Sequence, residues 1–294
     1  MSSAWFVGLT TVDIAYGVDS YPPEDSKTLA RNQFLGAGGP AANAAVAYAI
    51  LSGDSPTLVT ALGRDRLAEI ARRDLLDNGV MLVDTTADSD HQPPVSSIVV
   101  ARESQTRTIV SLDGSRISAP FKDDLAAGLK GANIVLIDAH HPELSAGIAA
   151  AANESDIPVV LDAGRWKDAH KALLPLVDIA ILSTAFEPPD LPTATADNVI
   201  DYVRSVGPQK VAITHGAGPI RYSDDSSSGE IAVQPVDAID TLGAGDILHG
   251  AFCHFTVQGH DFIESLSHAA EMATLSCQHF GTRRWSDFLT PGRQ

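Results

Sequence analysis

The chain has 294 residues, 44% apolar and 19% charged, and its 20 Lys and Arg against 37 Asp and Glu give a net charge of −17. That acidity, with no cationic run longer than the pairs Arg72-Arg73 and Arg283-Arg284, excludes a surface built to neutralise nucleic-acid phosphates or anionic lipid. No apolar stretch approaches the roughly 20 residues of a membrane span, no basic-then-apolar leader opens the chain, and two cysteines make no disulfide framework, so a cytoplasmic protein is expected.

In chain order, strand and helix signals alternate, the pattern of an α/β fold with a largely parallel sheet. Residues 4–9 form an apolar run that reads as the first strand. Residues 14–36 read as extended pieces about a turn at Tyr21-Pro22-Pro23. Residues 40–52 are Ala-rich and open on Pro40, which favours a helix start. Residues 57–63 read as strand, and 65–78 as a helix that Gly79 stops. Residues 95–113 look like a hairpin turning near Glu103-Ser104-Gln105; with 14–36 it would form a small second sheet, a lid beside the core. The runs 132–139, 157–164, 177–183 and 210–216 are continuously apolar, as strands buried on both faces read, with helical stretches at 144–153 and 196–206. Ligands of such sheets bind at the carboxyl ends of the strands, which directs attention to Asp13, Asp138, His140, Asp162, Ser183, Thr214 and Gly216. The chain is expected to form one domain over 1–294.

Three segments carry chemistry. Asp240-Thr241-Leu242-Gly243-Ala244-Gly245-Asp246 precedes an apolar helical stretch at 247–257. Small residues let backbone N–H groups converge where a helix begins, which makes an anion site, and a carboxylate beside it can take a proton from an attacking hydroxyl. The same residues would also serve as a glycine-rich turn with Asp246 as a helix cap, and no Gly-Lys-Ser/Thr follows to make a Walker A motif. Gly36-Ala37-Gly38-Gly39-Pro40-Ala41-Ala42-Asn43 allows close backbone approach to a ligand, with Asn43 one turn into the helix as donor and acceptor; the alternative is a loop with a helix-surface Asn. Asp13, just after the first strand, can accept from two sugar hydroxyls or serve as a turn aspartate.

These segments, in this order and with about 200 residues from Gly38 to Asp240, resemble the PfkB (ribokinase-like) family of carbohydrate kinases along essentially the whole chain. Within it, Val18 to Ser26 is similar to the ketohexokinase type, and Lys27, Ala30-Arg31-Asn32 and Gly38 to Ala42 to the sulfofructose kinase type. The resemblance implies a three-layer α/β/α core with a β-sheet lid. It implies an ATP-dependent kinase acting on a hydroxyl of a ketose or furanose such as fructose or ribose. By it, Asp246 is the base and Gly243, Ala244 and Gly245 form the anion hole; Asp13, Gly38, Gly39 and Asn43 hold sugar hydroxyls. Lys27 and His140 are placed on the substrate, His140 where the sulfofructose kinase type has an anion-binding Arg, and Ser111 where it has a lid Asn; Arg107, in the lid, reads either as facing the substrate or as a solvated or dimer-interface arginine. Thr214, Gly216, Gly218, Thr241, Ala270 and Ala273 border the nucleotide. Mg²⁺ is implied through an Asn-x-x-Glu motif, but the matching stretch is Ser183-Thr184-Ala185-Phe186-Glu187, with Ser for Asn and Glu one position late, leaving Glu187 as the metal candidate. Asp240 matches a ligand position for K⁺, and the lid implies a homodimer. A nucleoside kinase, or a sugar-binding relative without catalysis, are the alternatives. His249, His254 and His268 fall in predicted helices and read as structural or exposed, and Cys253 and Cys277 as small apolar residues.

Overall fold

Apolar runs become strands because alternate residues bury against two helical layers. The structure, a computed structural model, describes residues 3–112, 114–191 and 193–289. The first half contains β1 (Ser3–Val7), β2 (Thr11–Val18), β3 (Asn32–Gly38), α1 (Pro40–Ser52), β4 (Thr57–Thr60), α2 (Arg66–Asp77) and β5 (Met81–Asp84). Then come β6 (Val95–Ala101), β7 (Thr106–Ser111), α3 (Asp123–Gly128), β8 (Ala132–Asp138), α4 (Pro142–Asn153) and β9 (Val159–Ala163). The chain continues through α5 (His170–Leu173), β10 (Ile179–Ser183), α6 (Ala196–Val206), β11 (Lys210–His215), β12 (Gly218–Ser223) and β13 (Ser228–Ile231). It ends in two packed helices, α7 (Ala244–Val257) and α8 (Phe262–Cys277).

The large sheet has the order β13-β12-β11-β10-β9-β8-β1-β4-β5, parallel from β11 to β5, with β12 and β13 antiparallel at one edge. In β1, Phe6 joins the apolar layer containing α1, α2, α7 and α8, while Trp5 and Val7 join the layer containing α3, α4 and α6. Leu136 and Ile137 divide in the same way in β8. This alternation makes the three-layer α/β/α sandwich. Helix α7 is buried along most of its length, from Ile247 to Phe255, because it lies between the sheet, α1 and α8. No helix among the described residues is long and apolar enough to cross a membrane.

The second sheet, β3-β2-β6-β7, is the lid, built from the two segments the sequence sets apart. Asp113, the last residue of the expected hairpin segment, lies outside the described residues. Strand ends differ from the sequence reading by a few residues, as where β4 stops at Thr60, and one difference bears on the site. β2 begins at Thr11, so Asp13 stands within a lid strand, opposite Gly36 and Ser96, and not in a turn after β1. Pairing on both sides outweighs the turn preference of aspartate here.

Candidate active site

Two helix N-termini meet at the carboxyl edge of the large sheet. Gly243, the N-cap of α7, takes φ 70°, a left-handed conformation that lets the chain turn sharply into the helix. The first N–H groups of α7 have no acceptor within the helix, and its macrodipole favours an anion at this end. Asp246 sits in this turn. It is partly exposed, yet its carboxyl group lies deep among protein atoms. Burial, reinforced by the carboxylate of Asp162, pushes its pKa up to about 7.

Asn43, one turn into α1, donates from Nδ2 to Asp246 Oδ2 at 2.8 Å. The orientation of that amide is set by a residue the sequence reading did not single out. Arg283 donates from Nη1 to Asn43 Oδ1 at 2.9 Å, so the Asn43 amino group faces Asp246. Its Nη2 donates to the Ala37 carbonyl at 2.8 Å and to Asp74 Oδ2 at 2.9 Å, and Asp74 Oδ2 accepts the Ala37 N–H at 3.0 Å. Arg283 therefore joins the segment after α8 to α1, α2 and the lid strand β3. Only its place in a charge pair was visible in the sequence; its partners lie 209 to 246 residues away. His249 was also missed as part of the site. Its Nδ1 is 2.7 Å from the Gly245 carbonyl and its Nε2 3.1 Å from the Ile181 carbonyl, which ties the first turn of α7 to β10.

A polar row lies on the inner face of the lid. Asp13 accepts from Thr11 Oγ1 and stands in register with Ser96, whose hydroxyl donates to Ser111 Oγ at 3.1 Å. Burial raises the pKa of Asp13, while hydrogen bonds from Thr11 and Ser96 oppose the rise. Gly38 and Gly39 close this side. A Cβ on Gly38 would lie 1.9 Å from Asp13 Oδ2, and one on Gly39, at φ 93°, would lie 2.5 Å from the Leu9 carbonyl oxygen.

A cleft of about 260 Å³ opens against the same turn of α7. Ile220, Val233, Val236, Ala270 and Ala273 supply apolar walls, and Thr214, Gly216, Thr241, Ala244 and Gly245 the polar end. An apolar slot ending on a helix N-terminus fits a base with its phosphates.

The pfkB family carbohydrate kinase model matches residues 1–287. The chain belongs to this family. The kinase is 28% identical over 275 residues to an ATP-dependent ribose-1-phosphate kinase from Halopiger xanaduensis, covering 92% of this chain and 90% of that protein. It is 26% identical to the ribokinase of Bacillus subtilis, covering 96% and 95% of the two chains. A ribokinase from Arabidopsis thaliana, solved with ribose and ATP, has the same fold, with a TM-score of 0.77, 22% identity and coverage of 99% and 96%. The chain is thus a ribokinase-like sugar kinase, a phosphotransferase with an alcohol acceptor.

Other residues named from the sequence fall elsewhere. Arg107, read either as facing the substrate or as solvated, lines the apolar cleft, and its Nη1 donates to Thr241 Oγ1. Lys27 stands exposed in the loop between β2 and β3. Gly218 opens β12 and packs against the His215 ring. His140 borders a different, larger cleft at the ends of β8 and β9. Glu187 is exposed and lines a pocket with Ser183, Thr184 and Phe186, not the cleft at α7. Phe186 itself packs with Trp166 and His170, so the stretch matching the metal motif turns an aromatic side chain inward. Asp240 accepts N–H bonds from Leu242 and Gly281, each at 2.9 Å, and so ties the glycine-rich segment to the loop after α8.

Among the described residues no three His, Cys, Asp or Glu side chains gather as a metal cage. Asp162 Oδ2, however, is buried without a hydrogen-bond partner, 3.4 Å from His249 Nδ1. An unpartnered carboxylate oxygen whose charge Asp246 feels fits a hard cation that takes its remaining ligands from phosphate and water.

Proposed function

We propose that this kinase transfers the γ-phosphoryl group of ATP to a hydroxyl of a pentose or closely related sugar, with Asp246 as the base. One observation carries the reading: the Asp246 carboxyl, held by Asn43 at the N-terminus of α7, directly follows Ala244 and Gly245, which line the apolar cleft, and feels the charge of Asp13 on the lid. The similarity to proteins named ribokinase and ribose-1-phosphate kinase supports a pentose skeleton.

In this reading Asp13, Ser96 and the Gly38-Gly39 backbone orient the sugar, and Asp246 accepts the proton of the attacking hydroxyl. The N–H groups of Ala244 and Gly245 face the charge that develops on the transferring group. The adenine occupies the slot between Val236 and Ala273, and Arg107 closes its rim from the lid. Mg²⁺, when bound, would neutralise phosphate charge, and Asp162 rather than Glu187 would hold it. The outer face of the lid leaves Leu35, Val110 and Tyr16 exposed, which supports a homodimer formed through this sheet.

ATP consumption against ribose, fructose, tagatose, sulfofructose and nucleosides tests the reading. Ribose or a ribose derivative is expected to be turned over, and Asp246→Asn to lower kcat by about a thousandfold or more with the fold intact. Wild-type turnover by a well-folded Asp246→Asn protein would refute the assignment of the base.

A further inference from the structure

Between the far end of the lid and the chain after α8 lies a cleft of about 280 Å³ that the transfer described above does not use. Its ionisable lining is Arg31, Arg102, His279 and Arg284, with no Asp or Glu. Asn32 and Gln278 add side-chain amides. In a chain with 37 acids against 20 Lys and Arg, four basic side chains around one cavity reverse the local sign. Asp19 neutralises one of them, through an ion pair to Arg31 at 2.6 Å. Arg102 and Arg284 make no ion pair among the described residues. Burial and the charge of Arg284 hold His279 below its ordinary pKa, with Asp287 opposing them, so Arg284 stands close enough for its charge to be felt there. Guanidinium groups gathered without carboxylates repel one another; an oxyanion that accepts from their paired N–H groups turns that repulsion into attraction.

The cleft joins two parts of the fold. Asn32, Gly17 and Val100 form one cross-strand row on the inner face of the lid, and Arg107 continues it on β7. The Ala15–Ile98 pair stands between this row and the Asp13–Ser96 row, so the cleft is a site apart from the polar row that faces the sugar in the reading above. Ile239, Gln278, Phe280 and Arg284 bring the core side. A Cβ on Gly17 would lie 2.9 Å from the Phe280 ring, so the missing side chain is what lets Phe280 lie against β2. Phe280 also packs on the buried cluster of Ala15, Ile98, Val100 and Leu242, the last within the glycine-rich motif. The core wall is shared with the apolar cleft at α7. Ala238 and Cys277 line that cleft and Ile239 and Gln278 this one, and the Ile239 N–H donates to the Cys277 carbonyl at 2.7 Å.

Size and polarity limit the ligand. Drug-sized molecules occupy roughly 300–1,000 Å³, so this cleft takes something smaller. Basic groups beside Val100, Ile239 and Phe280 suit a molecule with one charged and one apolar end. Two guanidinium groups without carboxylate partners match the two charges of a phosphate monoester. We propose that this cleft binds a small organic phosphate, its phosphate held by Arg102 and Arg284 and its body on Val100 and Phe280, and that the bound anion ties the lid to the core. The proposal goes beyond the kinase reading, and its test needs no turnover.

Calorimetry with phenyl phosphate, which has no hydroxyl to accept a phosphoryl group, tests the site in the presence of excess ADP and ribose. The wild-type protein is expected to bind one equivalent. Arg102→Gln and Arg284→Gln should each weaken binding by about tenfold or more. Arg116→Gln, in the separate cleft at the ends of β8 and β9, should leave it unchanged. Arg102 and Arg284 are exposed, thermal unfolding checks that each variant is folded, and either variant alone carries the test. Amide hydrogen exchange reads the tie between lid and core. Phenyl phosphate should slow exchange over 101–107 and 278–281 in the wild type and in neither stretch of Arg102→Gln. No binding, binding that Arg102→Gln and Arg284→Gln leave intact, or binding lost in Arg116→Gln overturns the site while leaving the kinase reading standing. Inorganic phosphate bound as tightly as phenyl phosphate overturns the organic ligand in favour of free phosphate. Binding without slowed exchange overturns the tie.

Discussion

At the scale of single residues, the proposed chemistry rests on Asp246 and Arg283. A base works only when ionised, and burial pushes Asp246 up to about 7. The protonated fraction therefore dominates below that pH. For the free enzyme, kcat/KM should rise about tenfold per unit up to roughly pH 7 and then level off. A flat profile from pH 5 to 8 would show that Asp246 is not the titrating base. Arg283 never touches the carboxylate, but it fixes which end of the Asn43 amide faces it. Arg283→Met leaves Asp74 without its cationic partner and frees the amide to turn. It should cost about 3 kcal/mol in denaturant unfolding, and kcat should fall more than KM rises. Arg283→Lys restores charge without the two-pronged geometry and should recover stability more than kcat. Asp246 and Asn43 were legible as sequence because each lies in a short motif of small residues. Arg283 was not, because nothing local marks a residue whose role is to bridge four elements.

At the scale of elements, the two glycine segments act by geometry. Gly39 holds φ 93° with no room for a Cβ against the Leu9 carbonyl. Gly39→Ala should cost about 1–3 kcal/mol in strain and displace the loop that faces the sugar, which raises the KM for sugar while the KM for ATP stays near wild type. Equal changes in both would mean that the loop serves the fold and not the acceptor. The helices at 40–52 and 196–206 have the ends expected from the sequence; Pro40 marks the start of the first, and the structure shows Thr195 capping the second. The metal stretch was read less well. Its match to a family spacing points to Glu187, which lines a pocket with Ser183 and Thr184 while Phe186 packs inward on Trp166. The carboxylate that does lie near Asp246 is Asp162, at the end of β9. The sequence marked it only as one polar strand end among seven.

At the scale of the whole molecule, the lid joins the two halves of the site. Its inner face carries Asp13 and Ser96, proposed to hold the acceptor, and Arg107 reaches Thr241 at the cleft proposed for the nucleotide. Its outer face sets Leu35, Ile14, Ser97 and Val110 in one cross-strand row, with Leu35 and Val110 left to solvent. If that face pairs with a second copy, Val110→Glu should convert a dimer to a monomer in sedimentation or light scattering, with α/β secondary structure unchanged. A monomeric wild type would remove the dimer reading. Sequence alone determined the α/β sandwich, the separate lid and the order of the glycine motifs. Alternation, apolar runs and small-residue turns are local properties that the backbone obeys wherever they occur. Only the tertiary structure decided that Arg283 orders Asn43, that Asp246 feels the charge of Asp162, and that the histidines after β8 line a basic cleft. Those relations depend on which strand ends and helix termini converge at the carboxyl edge, and convergence over 100 to 250 residues leaves no local pattern to read.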